Sequence, residues 1–414
     1  MLGREIAKAR SALKAYVREL RSILRGNVGV MALSWFLFSL TGNLVNPFLA
    51  KYAEDLGASE TDVAFMRSIG SIALALSIIP GGLITDYMGR VKPIIVGTGL
   101  VAVVQFLYGL APDWRTLTAV YVIDMVSHFY QPALTSIVMD SLPVGMEFKG
   151  FLVLNVISSI PGLMVPVFGG VLYDVYGVRG MRLGFIAQGI VALIVLLLRI
   201  KMFRETFKPS NKDFSKLIFE LAGYRAVLSK AIGVYVSQTL LSLSMGVLGT
   251  YGILYAINVL GFSKAQWGLI SVASTIGVLI ASFGYMNARL RIGKTIVYSS
   301  ITLALSQFII ALLYYARSYS LILLFLVMIA ISIAQYIYNS AVSAVLTRTL
   351  PVEIRGRATG IQGIIGNLSS SAASALAGVL YITLNYNGAF VVSGLIGVLN
   401  VVYLIVYLKA WRLE

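Results

Sequence analysis

Apolar stretches of roughly 20 residues follow one another along this chain, separated by short polar gaps. Within each stretch the apolar positions run on without the period-two alternation of a barrel strand. Twelve such stretches lie near 28–50, 62–84, 93–111, 117–139, 149–173, 183–203, 231–257, 265–287, 295–316, 319–346, 357–382 and 388–409. About 20 helical residues cross roughly 30 Å of hydrocarbon, so the pattern predicts an all-α membrane protein of twelve transmembrane helices. The longest polar interruption, 204–230, separates six stretches from six. It divides the chain into an N-terminal segment (1–27), a first six-helix bundle (28–203), a central loop (204–230) and a second bundle (231–414).

An internal repeat supports the halving. TSIVMDSLPVGMEFKG (135–150) and SAVLTRTLPVEIRGRA (343–358) align at half the chain length, placing Leu142, Pro143 and Val144 on Leu350, Pro351 and Val352. Lys149 then falls on Arg357, Tyr130 on Tyr338 and Ala133 on Ala341. Such a repeat is the mark of two pseudo-symmetric bundles related by an axis along the membrane normal.

Composition agrees: 58% of the 414 residues are hydrophobic and 12% charged, with mean hydropathy +0.87, outside the range of ordinary soluble domains. The net charge of +16 invites a nucleic-acid reading until its placement is counted. On the twelve-helix assignment, 26 of the 33 Lys and Arg lie on the face that carries both termini. That asymmetry predicts cytoplasmic termini in a multi-pass protein of the cell membrane. The basic excess then faces anionic lipid, and no nucleic-acid partner is expected. In residues 4–25, Arg4, Lys8, Lys14, Arg18, Arg21 and Arg25 share one face, while Ile6, Leu13, Val17, Leu20 and Leu24 share another. This pattern suits an amphipathic helix on the cytoplasmic membrane surface, or a flank that orients the first span.

With no Cys and a single His, His128, neither disulfides nor a metal site is expected. No cofactor is expected, and no G-x4-G-K-[ST] loop suggests direct ATP driving. No cleaved signal peptide is expected. Nothing in the sequence demands a partner chain, and a monomer is expected. With one His and no clustered catalytic carboxylates, the chain does not read as an enzyme.

The gap GGLITDYMGRVKP (81–93) carries Gly82, Asp86, Gly89 and Arg90 at G-x3-D-x2-G-R spacing, followed by Lys92. Charges of both signs beside glycine suggest a tight turn with a switchable ion pair. The segment resembles the loop between the second and third helices of major facilitator superfamily transporters, written G-x-L-A-D-R-x-G-R-K. Here Tyr87 stands where a basic residue is usual, and Val91 separates Arg90 from Lys92. The loop from Asn287 (NARLRIGK) echoes the motif weakly, without an acid. Together with the six-plus-six arrangement, the resemblance covers nearly the whole chain after residue 27, and implies two bundles rocking about a central cavity. In that family the motif's acid and arginine form a relay with an acid ending the fourth helix, a position matched by Asp140. The resemblance therefore implies a cytoplasmic gate of Asp86, Arg90 and Asp140 facing the start of the eleventh helix. The alternative is a set of ordinary loop charges, worth about 0–1 kcal/mol as exposed pairs.

Asp124 and His128 lie four residues apart in the fourth stretch, hence on one helical face, and Asp124 is the one acid well inside a span. An ionisable residue there usually faces a cavity or partner, so Asp124 is a candidate proton carrier tuned by His128. The alternative puts Asp124 at the outer headgroups and His128 between helices as a satisfied polar residue. The arginine found here in many proton-coupled family members is absent. In the fifth stretch, Pro166, Gly169 and Gly170 match the P-x-x-G-G end of a motif resembling that of drug:proton antiporters, with Val165 replacing its preceding glycine; close packing and a bend are what an extracellular-gate helix needs.

Asn43, Asn46, Gln238, Gln335, Asn339, Gln362 and Asn367 lie within spans and are candidates either to bind substrate or to join helices. Arg67, near the outer end of the second span, is a candidate cavity cation. The reading is a secondary transporter moving a small-molecule substrate by alternating access. It favours proton-coupled export of an amphipathic, drug-like compound, with uptake or facilitated diffusion of a small metabolite as the alternative.

Overall fold

A few capping residues, prolines and glycines decide where the apolar runs begin, bend and end. The computed structural model describes residues 19–143, 145–207, 224–285, 291–349 and 355–411, and among these residues the regular structure is helical. Helix α1 (Gly26–Val45) passes through a tight turn at Asn46–Phe48 into α2 (Leu49–Asp55). Pro47 explains that turn, since its ring removes an amide donor and collides with the preceding turn of a regular helix. Helix α3 (Glu60–Met88) starts at Ser59. The Ser59 hydroxyl accepts the Asp62 amide at 3.3 Å, and the Asp62 carboxylate accepts the Ser59 amide at 2.9 Å. This reciprocal cap satisfies two amides that a helix start leaves free. The helix ends at Gly89, whose φ of 87° suits glycine and few other residues.

Helix α4 (Val91–Leu110) leads to α5 (Trp114–Ser127), capped by Asp113, whose carboxylate accepts the Thr116 amide at 2.8 Å. A turn at His128–Tyr130 then precedes α6 (Gln131–Ser141), with Pro132 again at the break. Helix α7 (Glu147–Ser159), a turn at Ile160–Leu163 and α8 (Val165–Tyr176) form the fifth run, and α9 (Val178–Met202) the sixth. The second half holds α10 (Tyr224–Leu254), extended by a π-helical turn at Tyr255–Val259, α11 (Lys264–Tyr285), α12 (Ile292–Leu312), α13 (Ser320–Thr349) and α14 (Arg355–Trp411).

Among the described residues, 10 helical segments are long and apolar enough to cross a membrane. Twelve crossings are consistent with this number for two physical reasons. The predicted span 117–139 is split at His128 into pieces of 14 and 11 residues. The predicted spans 357–382 and 388–409 run together in α14, which kinks at Asn385 with φ 56° and ψ −172°. That backbone region belongs almost entirely to glycine, so Asn385 is a strained turning point between the two arms.

Helix α9 packs on α4 and α1, α3 on α5, and α12 on α13 and α14. Two contacts join the halves most extensively: α3 with α14, and α8 with α11. One buried apolar cluster lies within the first half, around Val28, Met31, Ile94 and Ile137. The larger one continues across both halves, from Phe48, Tyr52 and Phe185 to Tyr251, Tyr338 and Phe390. Large apolar side chains such as Leu76, Phe168 and Leu312 remain exposed on the outside, as lipid-facing positions do. The end of the molecule carrying Arg90, Lys149 and Arg204 is called the basic end, and that carrying Ser59, Asp113 and Asn385 the far end. At the basic end Asn27 donates to the Arg204 carbonyl at 2.9 Å and to the Ser141 hydroxyl at 3.0 Å, pinning the starts and ends of three helices together.

The predicted N-terminal segment lies outside the described residues up to 18. Residues 19–23 are helical, Ile23 is buried in the first-half cluster, and Glu19 accepts from Lys149 at 2.6 Å. Parts of the central loop (208–223), the repeat's Val144 and Leu350–Pro351–Val352, and Asn287 to Leu290 of the echo loop also lie outside the described residues.

Candidate functional site

The site is built around Asp124 on α5. Its carboxylate is buried at 7% exposure and lines a cavity of about 480 Å3 within the first half. Oδ2 accepts the Tyr108 hydroxyl of α4 at 3.1 Å, and Oδ1 has no hydrogen-bond partner. His128, one turn on, holds Nδ1 2.7 Å from the Asp124 carbonyl oxygen and 3.6 Å from Oδ1. The predicted pair is therefore adjacent, and Asp124 faces a protein cavity rather than the end of its helix. Tyr108 is itself fixed by stacking on Phe185, with ring centres 4.9 Å apart, and its carbonyl accepts from Tyr52 at 3.0 Å.

Two arginines share this cavity. Arg199 on α9 is 1% exposed; its guanidinium donates to Thr98 at 2.6 Å and to Ser34 at 3.4 Å, and lies 5.5 Å from the centre of the Phe38 ring. Arg67 on α3 also lines the wall, and its Nε is buried without a hydrogen-bond partner. Arg67 and Tyr121 line a second cavity of about 290 Å3, which lies between the halves. Its other walls include Ser71, Ser242, Thr250, Gln335 and Ser374.

The structure sorts the predicted amides. Asn46 lines the first cavity and Gln335 the second. Asn43 donates back to the Ser39 carbonyl and hydroxyl of its own helix, both at 2.8 Å, and borders neither cavity. Gln238, Asn339, Gln362 and Asn367 are likewise not among the residues lining these two cavities. Gln238 keeps a buried Oε1 without a partner.

At the basic end Arg90 reaches Asp86 at 3.0 Å and Asp140 at 3.5 Å, so the three residues of the expected relay meet. The cluster also draws in the chain leaving α9. Thr206 donates to Asp140 at 2.9 Å, and the Phe207 ring centre lies 4.4 Å from the Arg90 guanidinium carbon. Glu205 accepts the Arg90 and Val91 amides at 3.0 and 2.9 Å. Lys92 is exposed and makes no ion pair with a described residue. Gly82 does not form the turn: it lies inside α3 with no non-local atom within 4 Å of a hypothetical Cβ, and Gly89 alone of the pair has positive φ. The side chains opposite, at the start of α14, lie outside the described residues.

Partial burial pushes the Glu205 carboxyl upward, but amide donation from Val91, Arg90, Phe207 and Thr206 outweighs it, leaving Glu205 below the usual glutamate range. A carboxyl so depressed adds stability above its unfolded value, about 4.3, and loses it as pH falls through the lower folded value. The Arg90 and Val91 amides should therefore keep their hydrogen-exchange protection from neutral pH to about 5 and lose it below about 4. Glu205→Gln should speed their exchange at neutral pH by about fivefold, for loss of bonding worth about 1 kcal/mol.

At the far end, side chains bond across the halves. Asp174, near the end of α8, accepts the Lys264 and Ala265 amides at 3.0 and 2.9 Å, capping α11. Asn258 donates to Glu54 at 2.7 Å, Trp267 to the Pro47 carbonyl at 2.9 Å, and Tyr386 to Glu60 at 3.2 Å. The predicted helix motif sits in this closure. A Cβ on Gly169 would fall 2.2 Å from the Leu44 carbonyl oxygen, and one on Gly170 2.3 Å from that of Lys264. Pro166 stands in the first turn of α8, and its carbonyl approaches the Gly268 Cα side of α11.

Arg199, Tyr108, Glu205 and Asp174 escaped sequence reasoning. Arg199 sits three residues before the end of an apolar run and beside Lys201, where it reads as a flanking charge. The others stand in loops or among ordinary apolar neighbours, with no spacing to single them out.

A model described as Major Facilitator Superfamily matches residues 31–334 and 234–412. The quinolone resistance protein NorA of Staphylococcus aureus (strain MSSA476) is 23% identical over 364 residues, covering 85% of this chain and 89% of that protein. An uncharacterised MFS-type transporter of Methanocaldococcus jannaschii is 26% identical over 353 residues, covering 82% and 86%. A solved POT family transporter, in complex with a thioalcohol-conjugated peptide, superposes with TM-score 0.74 at 13% identity, over 94% of this chain and 96% of that one.

Proposed function

Because the chain belongs to the Major Facilitator Superfamily, whose members are membrane transporters and not enzymes, we propose that it exports a small amphipathic, drug-like compound by alternating access, driven by proton entry. The observation that carries this reading is the Asp124 carboxylate, buried in the α5–α6 run, which we read as the fourth crossing, with one oxygen unpartnered. An ionised carboxylate so placed is costly, and the cost is removed by a proton or by a polar group of the solute. Competition between the two for one oxygen is the simplest basis for exchange. Likeness to quinolone resistance proteins supports a drug-like cargo and outward transport.

In this reading the halves are two six-helix bundles in the cell membrane, and the basic end is cytoplasmic. Residues 4–25 lie on anionic lipid at that surface, and the protein works as a monomer. The Asp86–Arg90–Asp140 cluster is the cytoplasmic gate, braced by Glu205 and Thr206. Asp174 and the Gly169–Gly170 pair belong to the outer one. Neutralising Asp86 and Arg90 together should shift solvent accessibility toward the state open at the basic end; unchanged labelling would leave them as surface charges. The transport reading itself is tested in proteoliposomes. Thermal-shift screening of a solute library at two pH values identifies a cargo, and efflux of that cargo from preloaded vesicles should then acidify their lumen. Cargo movement without proton movement would remove the coupling.

A further inference from the structure

Three residues lining the cavity around Asp124 keep an unmet buried polar atom: Gln188 Oε1 is an uncharged acceptor, and the other two belong to charged groups of opposite character. Arg67 Nε is a buried donor with no partner, and Asp124 Oδ1 a buried acceptor with none. Both side chains line the same cavity of about 480 Å3, and no ion pair joins them. Buried charged groups in native proteins find partners, and each left unpaired carries a desolvation cost. The second cation, Arg199, is in a different condition, since Thr98 and Ser34 already take its donors. Among its Arg, Lys, Asp and Glu side chains the cavity holds Arg67 and Arg199 against the lone carboxylate of Asp124. The remaining wall is largely aromatic and apolar, with Trp35, Phe38, Tyr108, Tyr121 and Phe185 among its members. A cavity of this size accepts a ligand of drug-like dimensions.

Resting on the transport reading above, we propose that the cargo is an aromatic amphipath bearing both an anionic group and an amine, the anion held by Arg67 and the amine by Asp124. Arg67 supplies the directional donors that carboxylates and sulfonates prefer. Asp124 Oδ1 accepts the ammonium, and the aromatic wall takes the ring. Arg67 also lines the second cavity, between the halves, so the anionic group stays beside the same cation as the solute passes from one cavity to the other. An anion without the amine leaves Asp124 Oδ1 unmet, and an amine without the anion faces two arginines.

The test is equilibrium binding to the purified full-length protein, followed by thermal shift and scintillation proximity. The probes are tryptophan, N-acetyltryptophan, tryptamine and N-acetyltryptamine, together with the same four charge types on a naphthyl scaffold. These are zwitterion, anion, cation and neutral forms of one ring. The zwitterion should bind at least tenfold more tightly than any of the other three on both scaffolds. Arg67→Gln should bring the zwitterion down to the level of the amine alone, and Asp124→Asn to the level of the anion alone. Equal binding of all four types, or of none, overturns the proposal. So does retention of the zwitterion preference in Arg67→Gln, with folding of each variant checked by its detergent melting curve. The outcome is separable from that of the transport reading. A zwitterion that binds with this ranking but moves no protons in vesicles overturns the coupling alone, whereas proton-driven export of a simple cation, unaffected by Arg67→Gln, overturns this inference alone.

Discussion

Asp124→Asn should abolish accumulation driven by a pH gradient while leaving counterflow exchange measurable at saturating cargo. If one proton moves per cargo molecule, each pH unit of gradient supplies about 1.4 kcal/mol, or about tenfold accumulation. The asparagine amide keeps the size of the carboxyl group and can still accept from Tyr108, which donates to the wild-type carboxylate at 3.1 Å. What it loses is the ability to carry a proton. Accumulation should therefore fall to unity at every gradient, and exchange should persist at cargo concentrations that saturate the weakened site, because both gates are untouched. His128→Gln should have a smaller effect, a displaced pH profile, because the imidazole is 3.6 Å from Oδ1 and makes its shorter contact with a backbone carbonyl. Gradient-driven accumulation that survives Asp124→Asn would take the residue out of the mechanism.

Gly170→Val should shift the protein toward the state open at the far end. The added Cβ would fall 2.3 Å from the Lys264 carbonyl oxygen and 2.5 Å from the Ala265 Cα. These are backbone atoms at the start of α11, in the first turn that Asp174 caps, and they cannot swing aside as a side chain does. Overpacking of this kind costs about 1–3 kcal/mol, or a factor of about 5 to 150 in a two-state population. The cost falls on the closed far end alone, because Gly170 meets the other half. Gly169→Val makes a contrast: its Cβ would meet Leu44 of its own half at 2.2 Å, so it should lower the melting temperature in every conformation. Gly82→Ala, with open space around it, should be silent in both assays. The chain has no Cys, so paired spin labels on introduced cysteines across the far end report the distance change without background. An unchanged distance distribution in Gly170→Val would show that this contact does not hold the far end shut.

The places where legibility failed are instructive. Period and length were enough for the helices, because a bilayer leaves a backbone few alternatives, and the breaks at Pro47, Pro132 and Asn385 moved boundaries without changing the order. Spacing was enough to pair Asp86 with Arg90, since four residues is one helical turn, whereas Asp140 entered through the family resemblance. Spacing was not enough for Gly82, where helix α3 runs on to Met88 and leaves the turn to Gly89. Nor was it enough for the amides: Asn43 and Asn46 look alike in sequence, yet one bonds to its own helix and the other lines the cavity. A side chain's direction depends on which helices surround it, and that information is long-range.

The sequence by itself determined a helical membrane protein, its family, the basic face and the acid at Asp124, because these follow from local composition, periodicity and short motifs. Only the tertiary structure decided that Asp124 shares a cavity with Arg67 and Arg199, brought in from α3 and α9. It alone joined Glu205 to the 89–91 turn and Asp174 to the start of α11. These pairings span 57 residues or more of chain, and no local pattern encodes them. They arise when apolar faces pack, and the few polar groups carried inside must find one another or a solute.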